Sequence, residues 1–91
     1  MANTQSAKKR IRQNQKRRAL NRWRLRTMRS AIKAFNKAIA DGDLGKADET
    51  FRVASAVVDK TAQKGVIHRN QAARRKSRMS ASLKKARQAT G

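Results

Sequence analysis

A chain of 91 residues suffices for one small domain, and 25 Lys plus Arg against 5 Asp plus Glu give it a formal net charge of +20. The lack of cysteine excludes disulfides and thiolate metal sites, no run of 18 apolar residues is present to span a membrane, and no apolar segment follows the first charges as a secretory signal requires. Leu, Ile, Val and Phe together make up 14 of the 91 residues, below the ~20% at which a highly charged chain is expected to be disordered, so composition alone predicts a chain whose self-repulsion a polyanion would relieve.

Pattern qualifies that expectation locally. Twelve of the 18 large apolar residues lie between Leu25 and Ile67. Charge divides the chain into three blocks: residues 1–37 carry +13, residues 38–59 carry −3 and residues 60–91 carry +10. The N-terminus is Arg-rich and acid-free, as transit peptides are. The last block has the same character, so both are read as working parts of the chain. All five acids fall on the first turn and the segment after it, which should face away from a polyanion.

Residues 1–5 read as a disordered tip and Ser6 as an N-cap. No breaker follows before Ala40, which predicts a helix of about 35 residues and ~50 Å. Its two halves differ. In the first, Lys8, Lys9, Arg10, Arg12, Lys16, Arg17 and Arg18 point in nearly every direction. A helix polar all round gains little by folding alone, so Ser6–Asn21 is expected to become helical on binding. In the second half, Leu25, Met28, Ile32, Phe35 and Ile39 recur at spacings of 3, 4, 3 and 4, one stripe of an α-helix. Arg22, Arg26, Arg29, Lys33 and Lys37 form a second face roughly 120° away, placed to meet phosphate. Ala31, Ala34 and Ala38 form a third, suited to close approach of another helix or of a nucleic-acid backbone.

Gly42 suits the left-handed position after a helix end, and Asp43 suits the next N-cap. The second helix should run to about Gln63, with Leu44, Ala47, Phe51, Ala54, Val58 and Ala62 on its apolar arc, flanked by Val53 and Val57. It is the best candidate to touch both other helices. Gly65 ends it, Val66-Ile67 makes an apolar joint, and a third helix starts around His68–Asn70 and frays before Gly91. The stripe of that helix is thin (Ala72, Met79, Leu83 and Ala86), so its docking should be weak. Arg69, Arg74, Arg75, Lys76, Arg78, Lys84, Lys85 and Arg87 cover the rest. The fold class is all-α: a single-domain, up-down three-helix bundle with a long, basic, overhanging first helix.

Triplets of cations within one turn recur in both acid-free blocks, at Lys8-Lys9-Arg10, Lys16-Arg17-Arg18 and Arg74-Arg75-Lys76. That recurrence favours nucleic-acid binding over a merely solvated face. One Trp, two Phe and no Tyr argue against a single-strand stacking platform of the RRM or OB kind. Phe35 and Phe51 read as core. Trp23 lies roughly 160° off the stripe and reads either as a cap on the edge of the bundle or as a ring that stacks on a base or Arg, with contact to the partner favoured because little core is predicted beside it. His68, the only histidine, has no companion ligands for zinc. It is read as a phosphate or base contact, with a helix-start role as the alternative. Asp48, Glu49 and Asp59 read as surface partners of Lys46, Arg52 and Lys60. No nucleophile–base pair, Gly-rich phosphate loop or metal-ligand set is present, so neither catalysis nor a cofactor is expected.

At Ser6-Ala7-Lys8-Lys9-Arg10, Lys16-Arg17-Arg18 and Asn21, and above all over Lys64-Gly65-Val66-Ile67-His68-Arg69-Asn70-Gln71-Ala72-Ala73-Arg74-Arg75-Lys76-Ser77, the chain resembles the bacterial small-subunit ribosomal protein S-twenty family. The resemblance covers nearly the whole sequence. It implies a three-helix bundle that binds small-subunit (16S) ribosomal RNA directly at the bottom of the subunit. The RNA touched would be the 5′ domain and the long penultimate helix, early in assembly. It also implies a cytoplasmic, ribosome-bound protein with no membrane, small-molecule substrate or homo-oligomer. Carried over residue by residue, it assigns RNA contacts to Lys8, Lys9, Arg10, Lys16, Arg17, Arg18, His68, Arg69, Asn70, Arg74, Arg75 and Lys76. Patterning adds Arg12, Arg22, Arg26, Arg29 and Arg78. The stretch Asn21–Arg29 departs from the family pattern through Trp23, Arg24 and Arg26.

The reading is therefore a structural RNA-binding protein that clamps RNA segments electrostatically. A DNA-compacting protein shares the charge but should bind duplex DNA as tightly as folded RNA. A membrane-active amphipathic helix needs a broad apolar face beside its cations, whereas here that face belongs to the acidic second helix.

Overall fold

With no proline to interrupt it, the first helix of the computed structural model, which describes residues 5–90, is a single rod, α1, from Gln5 to Asp41. α2 spans Leu44–Gln63 and α3 spans Arg69–Thr90. Residues 1–4, most of the expected tip, lie outside the described residues, as does Gly91. Gln5 and Ser6 are already helical, so Ser6 sits inside the first turn and is not the cap.

Both turns are made by the same device. Gly42 has φ +73° and Gly65 φ +77°, the left-handed conformation that costs an L side chain about 1–2 kcal/mol. At the first, Gly42 N–H donates to the Ile39 carbonyl (3.1 Å) and Asp43 N–H to the Ala38 carbonyl (3.1 Å). At the second, Gly65 N–H donates to Ala62 (2.9 Å) and Val66 N–H to Thr61 (3.1 Å). These are Schellman closures, which satisfy carbonyls that a helix end leaves open. Asp43 then caps α2, its Oδ1 accepting from Lys46 N–H at 3.1 Å.

The core joins Met28, Phe35 and Ala38 of α1, Ala47, Ala54 and Val58 of α2, the joint residue Ile67, and Ala72, Met79 and Leu83 of α3. Leu25, Ile32, Ile39, Phe51 and Val57 are partly buried around it. Phe51 is thus at the margin, its ring 5.9 Å from that of fully buried Phe35 and tilted by 55°. The Ala face of α1 resolves towards a helix: Ala38 is buried and Ala31 half-buried against the core. Val53 is exposed. It lies outside α2's packed arc, at the rim of a shallow groove with Ala31 and Ala34.

α2 packs on both other helices, while α1 and α3 barely touch. The result is a thin layer, 68 × 22 × 14 Å, with a radius of gyration of 18.1 Å, against roughly 12 Å for a compact domain of this size. The excess is the overhang: every residue from Lys8 to Trp23 is exposed.

Candidate nucleic-acid interface

The overhang places Lys8, Lys9, Arg10, Arg12, Lys16, Arg17 and Arg18 in solvent on all sides of α1. Its two large aliphatic residues, Ile11 and Leu20, are exposed. They stand nine residues apart, on opposite sides of the helix, so they make no packing seam. The first turn holds cations and no acid, the opposite of what the helix dipole prefers. Neither packing nor local electrostatics favours this helix, and phosphate would supply both missing terms.

Where α1 joins the bundle, the apolar arc turns inward and the basic face outward. Arg22, Arg26, Arg29 and Lys33 are exposed and, with Leu25 and Ser30, line an open groove of about 350 Å³. Lys37 continues the face, also exposed.

α3 is less uniform. His68, Arg69, Asn70, Arg74 and Arg78 are exposed. His68 precedes the helix and begins it: its Nδ1 accepts from Asn70 N–H at 3.1 Å and its carbonyl accepts from Ala72 N–H at 3.1 Å. The imidazole therefore serves as a cap. Arg75 is half-buried, its Nε enclosed without a protein partner. It fills the slot three residues after Ala72 and four before Met79, the gap in the thin apolar stripe. Lys76 pairs with Asp59 at 2.8 Å, and Arg87 pairs with Asp48.

These two ion pairs replace the expected partnership of the acids with Lys46, Arg52 and Lys60. Asp48 and Asp59 are 11 residues apart, as are Lys76 and Arg87, three turns on each helix. The α2–α3 interface is thus bracketed by two matched bridges. Both are about half exposed and worth about 0–1 kcal/mol each, so they fix register more than they stabilise.

The up-down topology sets the α2 C-terminus and the α3 N-terminus at the root of the overhang. Trp23, Arg24 and Thr27 of α1 share a groove there with Val57, Lys60, Thr61 and Lys64 of α2. His68, Arg69 and Asn70 follow directly in the chain. Asp41, Asp43, Asp48 and Glu49 gather at the other end. Among the described residues no cation of the overhang pairs with an acid. Sequence reasoning took Lys60 as a surface partner of the acids and did not single out Lys64 as a contact. Lys60 lies in the last turn of α2 and Lys64 is its C-cap, where the dipole favours cations, and that was the available signal.

Among the described residues no group of three or more His, Cys, Asp or Glu could hold a metal ion, and no helix is long and apolar enough to cross a membrane. Residues 2–84 match the family model for Ribosomal protein S20. The chain belongs to the ribosomal protein S20 family. It is 48% identical over 84 residues to the small ribosomal subunit protein bS20 of Nitrosomonas eutropha, covering 92% of this chain and 97% of that one. The bS20 of Aquifex aeolicus is 49% identical over 86 residues, 94% and 92% of the two chains. That of Rhodopirellula baltica is 47% identical over 88 residues, 97% and 98%. S20 membership makes this a ribosomal, RNA-binding protein and not an enzyme.

Proposed function

We propose that the protein binds small-subunit (16S) ribosomal RNA directly and stabilises its fold during assembly of the subunit in the cytoplasm. It acts as a monomer, as one domain, and without a membrane or a small-molecule substrate. The observation that carries this reading is the exposed, acid-free cationic surface running from the overhang of α1 along Arg22, Arg26 and Arg29. His68, Arg69, Asn70, Arg74 and Arg78 add a second face at its root. RNA segments that repel one another are bridged by these two faces, and counterions leave as phosphates are neutralised. Residues 8–23 are exposed throughout, so the RNA supplies the free energy that holds them helical. Arg75 and Lys76 contribute less than their neighbours, being turned towards the bundle.

The test is a salt-titrated competition between folded small-subunit ribosomal RNA and duplex DNA of equal phosphate count, with circular dichroism on the same samples. A preference for the RNA near physiological salt, with a gain in helix signal, is the expected result. Equal affinities that vanish together as salt rises would overturn the reading in favour of a DNA-compacting protein.

A further inference from the structure

The groove at the root of the overhang does something the basic faces do not. Its lining brings the chain's one tryptophan together with three cations, Arg24, Lys60 and Lys64. Trp23 is 58% exposed, the largest fraction among the exposed large apolar side chains. Thr27 and Thr61, which line the groove with it, turn their hydroxyls back on their own helices. Thr27 Oγ1 donates to the Trp23 carbonyl at 2.9 Å and Thr61 Oγ1 to the Val57 carbonyl at 2.7 Å. The two threonines therefore offer no free hydroxyl proton to a base edge. Among the described residues none of Arg24, Lys60 and Lys64 pairs with an acid. The opening is about 350 Å³, at the small end for ligand sites.

We infer that this groove takes one unstacked nucleotide of the bound RNA, its base lying on the Trp23 indole and its flanking phosphates against Arg24, Lys60 and Lys64. The inference rests on the rRNA-binding reading and extends it to α2, a helix whose acids argue against RNA contact elsewhere along its length. Charge complementarity selects the occupant. An apolar protein segment would leave the three lining cations unanswered, whereas a nucleotide answers both the indole and the cations. Because every base has a π-face to lay on the indole, the site tolerates any base.

The experiment uses the full chain and transcribed small-subunit ribosomal RNA, with Trp23 as its own reporter. Binding should quench its emission and shield it from acrylamide. Trp23→Ala should weaken binding by about 10- to 100-fold while leaving the salt slope unchanged, since stacking releases no counterions. Trp23→Phe should retain most of the affinity, and Lys64→Gln should lower the salt slope by about one. The exposed position of Trp23 leaves the melting curve of Trp23→Ala unaltered, which the same samples verify. RNA binding at full affinity by Trp23→Ala, with the wild-type tryptophan still open to acrylamide, overturns the stacking site and leaves the rRNA reading standing. Shielding seen only in the complete subunit also overturns it, and assigns the groove to a neighbouring protein. Loss of RNA preference in the wild-type chain overturns both.

Discussion

Phe35 and Phe51 each fall on an apolar stripe of the sequence, yet the structure ranks them. Phe35 is wholly enclosed, and Phe51 lies at the edge of the core. Phe35→Ala should cost about 3–5 kcal/mol, as much as a domain this small can lose, and abolish the thermal transition of the free protein. Phe51→Ala should lower the midpoint and leave the transition visible. Equal effects in a melting series would contradict that ranking. A similar split separates two neighbours on α3. Arg74 is exposed, while Lys76 is engaged by Asp59. Arg74→Gln should lower the slope of log affinity against log salt by about one, and Lys76→Gln by distinctly less. Filter binding at four or five salt concentrations distinguishes them. Sequence periodicity places all four residues on the correct helices, but it cannot see which of two adjacent cations meets an acid on another helix.

Elements were more legible than their pairing. Gly42, Asp43, Gln63 and Gly65 end or begin helices where turn chemistry puts them, because those signals are local. The cap role of His68 was legible only as an alternative, since histidine is a rare cap and only the Nδ1 distance decides it. The α2–α3 register was not legible, because an 11-residue repeat of acids on one helix has meaning only beside the matching cations of another. For α1, the sequence distinguishes an arm that buries nothing from a half that packs. That division predicts two classes of amide. In the free protein, hydrogen exchange over residues 5–23 should be much faster than over 28–39, and rRNA should bring the two close together. Uniform protection without RNA would show that the overhang holds itself helical, and the RNA-ordering step would be lost.

At the scale of the molecule, one variable should act in opposite directions. Added monovalent salt screens the self-repulsion of +20 charges, so the melting temperature of the free protein should rise with salt. The same salt should weaken RNA binding, by about 10³–10⁵ between 50 and 200 mM if six to ten phosphates are neutralised. A melting temperature that falls with salt would instead mean that the two α2–α3 bridges outweigh the repulsion. The 68 Å length also has a kinetic meaning. It spans several Debye lengths at physiological salt, each about 8 Å, so the two ends sense different surroundings. A nearby polyanion pulls on the overhang and hardly at all on the turn at Asp41–Asp43. Unequal forces on the ends of a rod make a torque. The protein should therefore approach a polyanion overhang first, with the acidic turn trailing outward.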